Sequence, residues 1–298
     1  MTRIPFNAAY DEGTRAINRA AATLAEAQRQ LASGRRIQSP SDDPLGTSTA
    51  ITEHAALDRV DAYTRATDAV GSRLVLADTV LSDIITQLTA AQSAALSARG
   101  TAATVPQRQA VAAELLSIRD AIMSDINTQL HGTYLFSGSN VLTAPYALVA
   151  GNISAYQGDT SAVLTDVAAG REVGGTFDGG AILQGADNQH VLDALTDLAA
   201  AITAGDANAI ADGVDAIKRA FDRATLAQTR IGNDLRAIDD VRAQLTTSRG
   251  TSIARLSAVE DADLAAVSAR LAQSDTAYRA ALASIANTLK LSLFDFLK

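Results

Sequence analysis

The chain has 298 residues with 25 Lys+Arg against 33 Asp+Glu, a formal net charge of -8 and no cysteine. That excludes disulfides, thiolate metal sites and a cysteine nucleophile, and it disfavours a general nucleic-acid binder. Aromatic residues are 4% of the chain, Trp is absent and Ala supplies about a fifth, which favours long helices packed through small side chains over a β-sandwich.

Three histidines, His54, His131 and His190, lie far apart and match no metal-ligand spacing. Neither they nor any other residues form a recognisable catalytic arrangement, so no enzyme activity, no cofactor and no metal are expected. No window of about 18 uncharged apolar residues suggests a membrane span, and Met1 to Arg15 lacks the hydrophobic block of a cleaved secretory signal.

Taken in chain order, the first element is a helix with Tyr10, Ile17, Leu24 and Leu31 seven apart and Ala20 and Ala27 between them. Gly34 is placed to cap its C-terminus. Ser39-Pro40-Ser41-Asp42-Asp43-Pro44 reads as a rigid turn in which Asp43 caps and Pro44 opens the next helix. Capping between two prolines explains the Asp42-Asp43 pair more simply than metal binding does. The pair Arg35-Arg36 is expected to be solvated or to meet carboxylates of a neighbour rather than to bind an anion. A second seam runs through Leu57, Val60, Thr64, Thr67, Gly71, Leu74, Leu81, Ile85 and Leu88. Gly100 and Pro106 bracket a break, and a shorter seam follows at Val111, Leu115, Ile118, Ile122 and Ile126.

Between 132 and 190 the character changes. Ten of the 19 glycines and five of the twelve aromatics fall there. Short strands and turns are expected over 133–136, 162–164 and 174–180. The pairs Gly174-Gly175 and Gly179-Gly180 read as turns, since they lack the strand–G-x-G-x-x-G–helix context of a nucleotide loop.

The seam from Ile210 through Val214, Ile217, Phe221, Ala224, Gln228, Ile231, Leu235, Ile238 and Arg242 to Leu245 alternates in steps of four and three. It reads as intramolecular core against the helices of 45–98 and 106–130, with stiffness as its function. The last seam runs through Leu264, Val267, Leu271, Ser274, Tyr278, Leu282, Ile285, Leu289, Leu293 and Phe296. A narrow stripe of this kind cannot bury itself and complements another helix. Two such strands alone bury little, because Ala20 and Ala27 contribute only methyl groups. The two chain ends are therefore expected to order fully only against neighbouring molecules.

Two terminal motifs carry a resemblance. Ile17-Asn18-Arg19 through Leu31-Ala32-Ser33-Gly34-Arg35-Arg36-Ile37, followed by Ser39 to Pro44, resembles the amino-terminal signature of bacterial flagellins and their hook-associated relatives. Val259 to Ala265 and Leu289 to Leu297 resemble the carboxyl end of the same family. The opening Met1-Thr2-Arg3-Ile4-Pro5 and the run Gly132 to Asn140 with Thr143-Ala144-Pro145-Tyr146 are similar to the hook-associated protein 3, or hook–filament junction, branch. The alternative is a short flagellin forming the filament itself.

The resemblance implies a mainly α fold with a small β insert: a long antiparallel bundle from both chain ends with a Gly-rich β domain in the middle. It implies an inner coiled-coil domain of 1–43 with 253–298, a helical rod domain of 44–131 with 191–252, and an outward β-rich domain at 132–190. It also implies type III export without a cleaved signal peptide, guided by a cytosolic export chaperone. Assembly with further copies of itself, with hook-associated protein 1 below and with flagellin above would then place the chain at an extracellular hook–filament junction. No nucleic acid or membrane is expected as a partner. The residues expected to make subunit contacts are Phe6, Tyr10, Ile17, Leu24, Leu31, Arg35, Arg36, Asp42, Asp43, Leu282, Ile285, Leu289, Leu291, Leu293, Phe294 and Phe296.

Overall fold

A computed structural model describes residues 6–98, 104–149, 152–185 and 189–296. Five long helices dominate: α1 (Phe6–Ser33), α2 (Pro44–Ala98), α3 (Val105–Ile126), α6 (Ala207–Glu260) and α7 (Leu264–Phe296). Between α3 and α6 lie six short strands, β1 (Gln129–Leu130), β2 (Thr133–Tyr134), β3 (Leu148–Val149), β4 (Asn152–Ile153), β5 (Leu164–Ala168) and β6 (Arg171–Gly174). Two shorter helices, α4 (Gly179–Leu183) and α5 (Val191–Ala204), follow them. The fold is mainly α with a small β insert, as expected.

The chain divides into two compact units. One comprises Met1–Arg59 with Thr247–Lys298, the other Val60–Thr246; α2 and α6 supply residues to both.

The second unit holds the large core. Ile210, Val214, Ile217, Ala224, Ile231, Ile238 and Leu245 of α6 are buried in one cluster with Leu74, Leu81, Ile84 and Leu88 of α2 and Leu115, Ile122 and Ile126 of α3. The heptad seam of α6 is thus intramolecular core, as its spacing predicts. α2 also carries an 18-residue window of mean hydropathy 1.4, long and apolar enough to cross a membrane by length and composition. The buried seam of α2 accounts for that run without a bilayer, since its large side chains already face a protein core.

The segment of strands shares this core. Leu135, Phe136, Tyr146, Val167, Val173, Ile182 and Leu183 are buried in the same cluster as the helices. Its strands pair as three separate antiparallel hairpins, β1–β2, β3–β4 and β5–β6. In the run 174–180, Gly174 ends β6, and Gly179-Gly180 open the short helix α4 instead of making a turn between strands. Asp178 Oδ1 accepts the Ala181 N–H at 3.0 Å, a side-chain cap that a Gly-Gly pair read in isolation conceals.

α5 carries no predicted element. His190 caps it through its ring nitrogen, and Gly205, with φ 76°, ends it. Its buried set, including Val191, Leu192, Leu195, Leu198 and Ile202, is too wide to show a narrow period.

Candidate assembly site

The first unit contains both chain ends. α1 and α7 pack against each other, and the approach is closest where α1 has no side chain: a Cβ on Gly13 would lie 2.7 Å from Ile285 Cδ1. Yet this pairing hides very little. Among the described side chains of α1, only Ala27 and Gln30 are buried; among those of α7, only Val267 and Ser274. The larger apolar members of the two seams are half-buried (Ile17, Leu24, Leu271, Tyr278, Ile285) or exposed, with Tyr10 at 45%, Leu31 at 38% and Leu282 at 42%. Over the described side chains of these two helices, the buried set is thus limited to small or polar groups and one valine, and the larger apolar groups are only partly covered. Apolar burial scales at about 25 cal/mol per Å², so such a pair gains little against the entropy of ordering it. The side chains of Phe6, Leu289, Leu291, Leu293, Phe294 and Phe296 lie outside the described residues.

The turns that join these helices to the rest are better secured. Gly34 takes φ 68° and donates its N–H to Gln30 O at 2.9 Å, closing α1. The chain then pairs with the α6–α7 turn: Arg36 N donates to Glu260 O at 2.6 Å and Ala262 N to Gly34 O at 2.9 Å. Side chains reinforce that seam. Arg36 donates to Val259 O at 2.8 Å and to Asp43 Oδ2 at 3.1 Å. Glu260 faces His54 Nε2 at 3.1 Å and Arg35 at 3.8 Å, and Glu53 faces Arg255 at 3.6 Å. Asp263 Oδ1 accepts from Ala265 N at 2.9 Å and Ala266 N at 3.1 Å, capping α7.

The two motifs that carry the sequence resemblance, one at each end of the chain, therefore dock on one another. This revises the reading of the arginines. Arg35 and Arg36 find carboxylates within their own chain, and Arg36 also holds a backbone carbonyl of α6. Glu260, Glu53, Arg255 and His54 were not expected to take part, because their partners are distant in sequence.

Asp42 and Asp43 act as turn and cap. Asp42 Oδ2 accepts the backbone N–H of Ser39 at 2.8 Å and of Gln38 at 3.0 Å, and these bonds hold its carboxyl below the usual carboxylate range. Asp43 Oδ1 accepts Gly46 N at 2.9 Å, which with the Arg36 guanidinium lowers its carboxyl likewise. Among the described residues no group of three or more His, Cys, Asp or Glu side chains could hold a metal ion.

A group with a depressed folded pKa stabilises the fold above its unfolded value, and that contribution is lost as pH falls through the folded value. The first unit is therefore expected to lose stability below about pH 4, the ordinary carboxylate range. Asp42→Asn and Asp43→Asn, which keep a capping oxygen but cannot titrate, are expected to flatten that loss. Circular dichroism melts of the wild type and both variants between pH 5 and pH 3 check it; parallel curves would contradict the assignment.

Comparison with known proteins bears on what such a site is for. Residues 4–141, which contain α1, its turn, α2, α3 and the first hairpin, match the family of the bacterial flagellin N-terminal helical region. That match covers a little under half of the chain. The chain is similar to flagellar hook-associated protein 3 of Escherichia coli strain K12, 27% identical over 165 residues, which is 55% of this chain and 51% of that one. It is 28% identical over 170 residues to flagellar hook-associated protein 3 of Salmonella typhimurium strain LT2, covering 57% of this chain and 53% of that one. The chain spans about half the length of these curated relatives.

Among solved structures, FlgL of Xanthomonas campestris superposes with a TM-score of 0.61 at 18% identity, covering 68% of this chain and 98% of that one. The flagellar junction protein FlgL of Legionella pneumophila superposes with a TM-score of 0.61 at 12% identity, covering 72% and 100%. At these identities the likeness is one of fold. The docked 34–36 and 259–262 segments are where the two terminal motifs that carry the sequence resemblance meet.

Proposed function

We propose that the chain is a structural subunit of the bacterial flagellum that joins hook to filament, polymerising through its terminal helices after type III export. One observation carries the reading: α1 and α7 pair while leaving Tyr10, Leu31 and Leu282 exposed and Ile17, Leu24 and Ile285 only half-covered. Paired strips with so much uncovered apolar surface suit further copies of the same chain laid alongside. The similarity to two hook-associated proteins 3 points the same way.

In this account residues 1–43 with 253–298 form the inner coiled-coil layer, 44–131 with 191–252 the rod, and 132–190 the outward part. Hook-associated protein 1 lies below the ring, flagellin above it, and a cytosolic chaperone accompanies export. The role is mechanical and not enzymatic, and the location is the extracellular flagellum. The residues proposed for subunit contacts are Tyr10, Ile17, Leu24, Leu31, Arg35, Arg36, Asp42, Asp43, Leu282 and Ile285, together with Phe6, Leu289, Leu291, Leu293, Phe294 and Phe296.

A deletion of the gene tests this. The expected phenotype is intact hooks without filaments and flagellin released into the medium, restored by the wild-type gene. Hooks still carrying an attached filament lacking this chain would refute the junction role. A filament found to consist of this chain would instead make it a short flagellin.

A further inference from the structure

The second unit contains a buried aromatic seam that assembly through the chain ends does not use. Tyr146 sits at its centre, its ring 4.6 Å from that of His190 in an edge-on contact and 5.5 Å from that of Tyr156. The backbone of Tyr146 is clamped to the end of α3: Asn127 Nδ2 donates to Tyr146 O at 2.8 Å, and Tyr146 N donates to Asn127 Oδ1 at 3.1 Å. Tyr156 Oη donates to Phe136 O at 2.9 Å and accepts from Gly179 N at 3.2 Å, at the start of α4. His190 opens α5. The end of one helix and the starts of two others are thus held through three rings.

Two polar atoms of these rings, Tyr146 Oη and His190 Nε2, are buried with no partner among the described residues. The other imidazole nitrogen, Nδ1, accepts the Leu192 N–H at 3.3 Å and so caps α5. A nitrogen that accepts carries no proton, so the ring is neutral with its hydrogen on Nε2. A second proton could enter only at Nδ1. It would turn the acceptor into a donor facing the Leu192 N–H, break the cap, and place a charge among buried rings.

Among the described residues, two charged groups act on the imidazole. Asp193, in the first turn of α5, favours the imidazolium; Arg223 of α6, held on Ile182 O at 3.0 Å and Leu183 O at 3.1 Å, disfavours it. Asp178, the cap of α4, acts on Tyr146 and Tyr156 rather than on the imidazole.

We propose that His190 is an acid-release latch, whose neutral ring caps α5 and closes the Tyr146 seam and whose protonation uncaps the helix and loosens the second unit. Burial holds the imidazole below the ordinary histidine range, outweighing Asp193. An unfolded chain takes up the proton near the ordinary histidine value of 6.5 while the folded one resists. Stability is therefore full above that pH, and the unfolding equilibrium constant rises by up to about tenfold per pH unit as pH falls toward the folded value.

The test uses the full-length chain and His190→Asn, which keeps a capping side chain that cannot titrate. Urea unfolding of the second unit, followed by tyrosine fluorescence at pH 7.0 and 5.5, is expected to show a rise in the wild-type unfolding constant, up to about tenfold, that the variant lacks. Nitrogen-15 spectra of histidine-labelled wild type are expected to show His190 as the Nε2–H tautomer, resisting protonation to below the ordinary histidine range. Equal pH dependence in the two proteins would overturn the proposal. If His190→Asn does not fold, the wild-type spectra decide alone: an Nδ1–H tautomer, or protonation in the folded chain at or above the ordinary histidine value, overturns it.

Discussion

Deletion of residues 291–298 is expected to abolish assembly while leaving the second unit folded. The segment contains Leu291, Leu293, Phe294, Phe296 and Leu297, five large apolar side chains in eight residues. The described part of α7 buries only Val267 and Ser274, so the helix that leads into this segment draws little stability from its own molecule. The core cluster of the second unit lies within 60–246. Its urea unfolding midpoint should match that of the full-length chain, whereas a strain producing only the truncated chain should carry hooks without filaments. Filaments on such a strain would remove the terminal strip from the mechanism; a collapsed second unit would show that the division into units is wrong.

The largest stability loss from a single added methyl group is expected at Gly138. Its φ of 67° lies in the left-handed region, and an added Cβ would collide with the backbone carbonyl oxygen of Asp159. That carbonyl cannot retreat cheaply. Asp159 N donates to Ser137 O at 3.2 Å, and its carboxylate accepts Ser139 N at 2.7 Å and Ser161 N at 3.0 Å, so the two loops are laced together. Gly138→Ala therefore combines left-handed strain with a backbone displacement and is expected to cost about 3 kcal/mol. Gly34→Ala is the control: its φ is 68°, but nothing lies within 4 Å of the added Cβ, so only the conformational cost of about 1 kcal/mol applies. Urea unfolding of both variants gives the comparison. Equal losses would mean that the approach to Asp159 carries no energy.

What could be read from residue order alone follows the range of the interaction. The Ile210–Leu245 seam and the Asp43-Pro44 helix start depend on neighbours within one or two turns, and both appear where the spacing puts them. Helix α5 went unseen for local reasons too: its cap is a histidine, an uncommon choice, and its apolar set is too broad for a stripe. The docking of the 34–36 segment on 259–262 could not be read at all, since Arg36 and Val259 stand 223 positions apart. Periodicity shows that a face is apolar but not what covers it. The sequence predicts that α1 and α7 are complementary strips; only the folded structure shows that, among the described side chains, their pairing buries just Ala27, Gln30, Val267 and Ser274 and leaves the larger ones in partial reach of solvent.

The account rests on α1 and α7 gaining most of their order from sister molecules, and amide hydrogen exchange reads this directly. In the isolated chain, amides of α1 and of residues 264–296 are expected to exchange orders of magnitude faster than those of α3, α5 and the 210–245 part of α6, and to become protected when subunits assemble. Equal protection of the terminal helices and the second unit's core in the lone molecule, unchanged on assembly, would contradict it.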